Sequence, residues 1–203
     1  PLLHARLYWS QSRLHALQND TQAASRYARQ ALAIIECTEH TAYSARAHHL
    51  LACIELDRGN ATEALELLRK AASLLDGEAH VLVRTRILLE EARALAQLGR
   101  RDEAESTALT AAGRFADLDP MEAGRSYLLV AQLRAEDGDR LRAIELYELA
   151  ADLLQRVPNR FLIDAYGKLA ELFEAEGRKD EALEVLKKAV QAQAVAGRQL
   201  QAT

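Results

Sequence analysis

Residues 51–68 read LACIELDRGNATEALELL. Gly59 stands where a first helix must end, because a left-handed C-cap costs glycine nothing. Glu63 stands where a second helix opens, and its carboxylate complements the partial positive charge of a helix N-terminus. Around this turn lie three small residues: Ala52 seven positions before Gly59, Ala64 five after it and Ala71 twelve after it. A small side chain lets two helix backbones approach, and a larger one forces them apart.

The same frame recurs in both directions. Asn19, Gly59, Gly99, Gly138 and Gly177 are separated by 40, 40, 39 and 39 residues. Five residues after each turn come Ala24, Ala64, Ala104, Ala143 and Ala182, and twelve after come Ala31, Ala71, Ala111, Ala150 and Ala189. Seven before come Ser12, Ala52, Ala92, Ala131 and Ala170. The spacing predicts five antiparallel helix pairs. First helices are expected near 3–18, 41–58, 79–98, 120–137 and 160–176, and second helices near 20–37, 60–75, 101–116, 139–156 and 178–196. Repeat boundaries fall near Thr38–Thr41, Asp76–Glu78, Asp119–Pro120 and Val157–Asn159. Asp119–Pro120 reads as an N-cap followed by proline at the first helical position.

These columns resemble the tetratricopeptide repeat. That family's small residue in helix A, its inter-helix turn and its two small residues in helix B fall on the positions above, and the likeness runs from residue 2 to about 196. Tyr8, His48, Leu88, Tyr127 and Tyr166 occupy the family's first signature site. The period is longer than the family's usual 34 or so, and the usual proline after helix B is missing: Glu36, Asp76, Ala116, Gln155 and Ala194 stand there. The resemblance implies an all-α solenoid, a single domain over 1–203 with repeats at about 2–38, 41–76, 79–117, 120–157 and 159–197, winding into a superhelix.

Composition agrees with a folded helical chain. Of 203 residues, 49% are hydrophobic and 28% charged, with only three prolines and nine glycines. The net charge of −4 argues against direct nucleic-acid binding by this segment. Residues 1–100 carry 12 Lys and Arg against 11 Asp and Glu, and residues 101–203 carry 14 against 19, so the second half is the acidic one. No apolar run approaches a membrane span. Pro1–His15 holds Arg6, Arg13 and two histidines where a leader would be apolar, and the chain begins at proline, compatible with an upstream segment. Two isolated cysteines, Cys37 and Cys53, read as reduced thiols of a cytoplasmic protein.

Catalytic signatures are absent from the sequence: no phosphate loop, H-E-x-x-H or G-x-S-x-G occurs. An enzyme is not expected, nor is a cofactor. Cys37, His40, His49 and Cys53 form the best metal-like cluster. His49 and Cys53 share one helical face, but the set has no recognised ligand spacing and is expected not to bind a metal.

In the resembled family, helix A columns line a concave groove. Thirteen residues before each turn lie Arg6, Arg46, Arg86, Arg125 and Asp164. Ten before lie Trp9, His49, Leu89, Leu128 and Gly167, and six before lie Arg13, Cys53, Arg93, Gln132 and Glu171. The candidate ligand face is therefore Arg6, Trp9, Arg13, Arg46, His49, Arg86, Leu89, Arg93, Arg125, Leu128 and Gln132. Arginine suits carboxylate and phosphate recognition. Its competing role is pairing within the array, for which Glu90 lies four residues from Arg86 and three from Arg93. Helix A asparagines of the family's carboxylate clamp are missing, since Asn19, Asn60 and Asn159 all sit at turns.

The expected function is a protein- or peptide-binding scaffold with an acidic partner. Its expected setting is the ligand-sensing or oligomerising region of a bacterial helix-turn-helix transcriptional regulator, whose DNA-binding domain is not in this sequence. The alternative is a structural module that self-associates as a homo-oligomer and has no groove ligand.

Overall fold

A computed structural model describes residues 2–38, 40–75, 80–155 and 159–201, with side chains described up to 195. Ten helices occur among the described residues, and no strand. They are α1 Leu2–Leu17, α2 Thr21–Glu36, α3 Thr41–Asp57, α4 Ala61–Ser73, α5 Val81–Gln97, α6 Arg101–Phe115, α7 Pro120–Glu136, α8 Arg140–Leu154, α9 Arg160–Ala175 and α10 Lys179–Gln201. The ends agree with the sequence expectation within a few residues, except that α10 continues to Gln201. The boundaries expected at Asp76–Glu78 and before Asn159 lie outside the described residues. No described helix is long and apolar enough to cross a membrane.

Five hairpin turns share one construction. Asn19, Gly59, Gly99, Gly138 and Gly177 all have positive φ, from 61° to 84°. At each, the next residue's N–H reaches back five residues to a helix carbonyl: Asn60 to Glu55 at 2.8 Å, Arg100 to Leu95 at 2.9 Å, and likewise at Asp20, Asp139 and Arg178. The turn residue's own N–H bonds three residues back, completing a Schellman end that satisfies the last carbonyls of helix A. Side-chain caps then open helices. Asp20, Asp119, Asp139 and Asn159 accept from backbone N–H groups of the first turn, and Pro120 follows Asp119 at the first helical position.

The small-residue columns are the packing surfaces. Ala64, Ala104, Ala143 and Ala182 are between 0% and 2% exposed. Ser12, the one non-alanine, is also buried and uses its hydroxyl to donate to the Ala24 carbonyl at 2.9 Å, joining α1 to α2.

The chain forms two compact units, Pro1–Ala104 and Glu105–Thr203. In the first, α1 packs on α2, α2 on α3, and α3 on both α4 and α5. Its core gathers Ala5, Ala28, Leu32, Ile35, Leu51 and Ile54, with Trp9 packed against it. In the second, α7 packs on α8, α8 on α9 and α9 on α10, around Leu154, Leu162 and Ala165.

Polar ties cross the seams between successive repeats inside each unit. In the first unit Ser25 and Arg29 of α2 donate to Glu55 of α3, and Gln97 of α5 donates to the Leu56 carbonyl at 3.1 Å. In the second unit Arg134 pairs with Glu105, and Arg140 with Glu176 at 3.2 Å. The Arg125 guanidinium lies over the Phe161 ring at 4.8 Å.

Candidate binding face

In the first unit, α1 presents Leu2, Ala5, Arg6, Trp9 and Ser10, spaced so that all lie on one side of the helix. Tyr43 and Arg46 stand one turn apart on α3, and Ile35 closes the floor from the end of α2. Together these residues line a pocket of about 410 Å³. Arg6 and Arg46 are exposed at its rim, and neither meets a carboxylate among the described residues. Trp9 is half-buried, its ring resting against the core, so one part of the indole is fixed and the rest faces the pocket. Two cations stand beside aromatic and aliphatic surface, a chemistry suited to an anionic group carried on an apolar body.

Three of the other four candidate arginines, Arg86, Arg93 and Arg125, have partners within the fold. Arg93 pairs with Glu90, which is nearly buried, and with Asp57 at 3.3 Å. Burial disfavours the Arg93 cation, yet Glu90, Cys53 and Asp57 outweigh that and hold its pKa above the ordinary value. Arg125 pairs with the nearly buried Glu122 at 2.7 Å while stacking on Phe161. Arg86 is half-buried and has an interaction within the protein. Arg13 is exposed.

Remaining members of the sequence-derived face divide between surface and interior. Leu89 is only 2% exposed and belongs to the core, so it offers a ligand no surface. Leu128 is half-buried against the second unit's core. Gln132 is exposed and donates to Glu136 at 2.9 Å. The fifth repeat carries the reversed charge at exposed Asp164, while Glu171 is paired with Lys168 at 2.8 Å.

Three buried carboxylates were not singled out as a group by sequence reasoning. Glu55 is fully buried and accepts from Ser25, Arg29, Arg58 and Asn60. Glu90 and Glu122 are nearly buried. Each has an arginine three residues later, and that Glu-x-x-Arg spacing was the available signal. The metal-like quartet separates. Cys37 is exposed and donates to the Ala33 carbonyl, whereas Cys53 and His49 lie 3.7 Å apart beside Glu90.

Family models described as tetratricopeptide repeat match residues 45–74 and 122–194. None of the curated proteins matches the sequence. Among solved structures, the chain is similar to aspartyl phosphate phosphatase F from Bacillus subtilis. The identity is 16% and the TM-score 0.84, over 97% of this chain and 52% of that one. It is also similar to a Rap protein complexed with competence and sporulation factor (16% identity, TM-score 0.83, 95% of this chain and 54% of that one). A third likeness is to a Podosopora anserina putative kinesin light chain with nearly identical TPR-like repeats (22%, TM-score 0.69, 95% and 96%). The chain thus spans about half the length of the first two. At such identities the likeness is one of fold: helix pairs of the tetratricopeptide type.

Proposed function

We propose that this array of tetratricopeptide repeats is a non-enzymatic scaffold that binds an acidic peptide or protein segment through the helix A face of its first unit. The observation that carries the reading is the pocket in which Arg6 and Arg46 flank Trp9 and Tyr43. Arginines serving only the fold would pair with neighbouring carboxylates, as Arg93 and Arg125 do. An acidic side chain or terminal carboxylate would engage the two guanidinium groups, and a preceding apolar or aromatic residue would lie on Trp9. The crystallised complex of a Rap protein with competence and sporulation factor supports the reading by analogy of fold.

In a longer cytoplasmic protein this region would sense a ligand for a bacterial helix-turn-helix transcriptional regulator, an extension supported by the sequence character of Leu51–Leu68. The test is calorimetric titration of matched acidic, neutral and basic extended peptides. Acidic peptides should bind, with affinity falling as salt rises. The Arg6→Glu, Arg46→Glu double variant should lose binding and keep its helicity. Equal binding of basic peptides, or undiminished binding by the double variant, would refute the assignment.

A second reading, self-association, is favoured by one observation. Leu3, Leu7, Leu14 and Leu17 run along α1 and are 79%, 54%, 53% and 84% exposed. Sedimentation equilibrium separates the readings, since a stable dimer needs an interface of about 1,000 Å² or more. A dimer dissociated by Leu7→Glu would favour self-association.

A further inference from the structure

We propose that His49, Cys53 and Glu90 form a binding site for a zinc-type divalent cation. His49 and Cys53 project from successive turns of α3, and Glu90 reaches them from α5 in the same compact unit. One ligand atom from each of the three lies within 4.8 Å of the others. The Cys53 Sγ to His49 Nε2 distance is 3.7 Å. Tetrahedral zinc, with bonds of about 2.3 Å to sulfur and about 2.0 Å to nitrogen, requires an edge close to this value. The pair therefore needs little movement to ligate, and closing the two edges to Glu90, each within 4.8 Å, takes an adjustment of the Glu90 side chain.

Charge supports the site. Arg93 bonds to Glu90 and is shared with Asp57 at 3.3 Å. Glu90 and Asp57 bring two carboxylates to the one guanidinium of Arg93. Binding proceeds as Cys–SH plus M²⁺ giving Cys–S–M⁺ and a released proton. The thiolate and the Glu90 carboxylate then bring two negative charges to the divalent cation. Asp57 keeps Arg93 compensated while Glu90 turns an oxygen to the metal, and Arg93 becomes the group that positions that carboxylate.

Donor chemistry sets the class of ion. A thiolate, an imidazole and one carboxylate select zinc, cobalt or nickel over magnesium and calcium, which take oxygen ligands. Three protein ligands leave a fourth position open. His49 and Cys53 are half-buried, so that position is reachable from solvent for water or for a donor group of a bound partner.

Cobalt(II) is the probe. The reduced protein, stripped with chelator, is titrated anaerobically and followed in the near-ultraviolet and visible. A thiolate-to-cobalt charge-transfer band should appear, saturate at one equivalent and be displaced by zinc. Cys53→Ser should abolish the band, whereas Cys37→Ser should leave it intact. His49→Gln and Glu90→Gln should each weaken cobalt binding by about tenfold or more. His49→Gln keeps the test decisive if Glu90→Gln disturbs the fold through Arg93. Absence of the band, its survival in Cys53→Ser or its loss in Cys37→Ser would overturn the proposal.

Discussion

Replacing Glu55 by glutamine removes one charge from the interior and almost no volume. The carboxylate accepts from Ser25 Oγ at 2.6 Å, Arg29 Nη2 at 3.0 Å, Arg58 Nη1 at 2.9 Å and Asn60 Nδ2 at 2.7 Å. Every partner donates to it, so the glutamine amide must point its own donors at one of them, and the one hydroxyl able to accept, Ser25 Oγ, already takes a hydrogen bond from Arg58 at 3.2 Å. The side chains of Arg29 and Arg58 are 47% and 32% exposed and regain water, which discounts their share. What remains is one or two hydrogen bonds to a charged acceptor, at about 1.5–3 kcal/mol each. The expected loss is therefore about 2–4 kcal/mol. Urea unfolding followed by far-ultraviolet circular dichroism measures it at neutral pH. Acid provides the second arm. Burial raises the Glu55 pKa, but hydrogen bonds from Ser25 and Asn60, with Arg58 and Arg29 nearby, outweigh burial and hold it below the usual carboxylate value. A depressed folded pKa gives stability that is complete above the unfolded value of about 4.3 and disappears as pH falls through the folded one. Protonated wild type then resembles the variant, and the two stabilities should converge. A neutral-pH difference under about 1 kcal/mol, or one unchanged in acid, would refute the reasoning.

Two further changes probe the packing. Ala104 is fully buried, and Ala104→Leu should cost about 1–3 kcal/mol by overpacking. Thermal unfolding would detect this as a lowered midpoint, and a neutral result would mean the alanine column does not set the helix spacing. Gly124 and Gly113 form a matched pair. A Cβ on Gly124 would come within 2.8 Å of Leu154 Cγ, in a side chain that is itself buried, while a Cβ on Gly113 meets nothing within 4 Å. Gly113→Ala should stabilise by about 0.5–1 kcal/mol through helix propensity. Gly124→Ala should destabilise by about 1–2 kcal/mol despite the same propensity gain. Chemical unfolding of both variants checks the sign, and equal signs would contradict the close approach of α7 and α8.

Helix positions were readable because they depend on local rules. A left-handed turn wants glycine or asparagine, close packing wants alanine, and both recur at the repeat period, so Gly99 and Ala104 disclosed their surroundings from spacing alone. Counting columns also placed Arg6 and Arg46 in one column and Trp9 in the column one turn away, and the structure brings these three to one pocket. Column counting does not supply the rotation of each helix against its neighbours. Trp9 and Leu89 share a column, yet Trp9 is half-buried and Leu89 is interior. Partners on other helices were equally out of reach. A whole helix separates Cys53 from Glu90, and Ser25 meets Glu55 across a repeat boundary. Arg125, by contrast, has its acid within reach of local rules, since Glu122 stands three residues upstream.

The polar ties at the seams have a consequence for how the repeats tell one another apart. Surfaces faced with alanine are nearly interchangeable, since a methyl group offers little shape to distinguish a correct neighbour from a wrong one. The ties are not interchangeable. Repeats one and two are joined by a serine and an arginine on a shared glutamate, and repeats two and three by a glutamine on a carbonyl and by Arg93 with Asp57. Repeats three and four are joined by Arg134 with Glu105, and repeats four and five by an arginine over a phenylalanine and a second ion pair. Each seam carries its own polar address on a common apolar surface. A transposed repeat would still bury its alanines, but it would confront unmatched charges. The order of repeats is thus written into the fold by side chains that contribute little to its bulk.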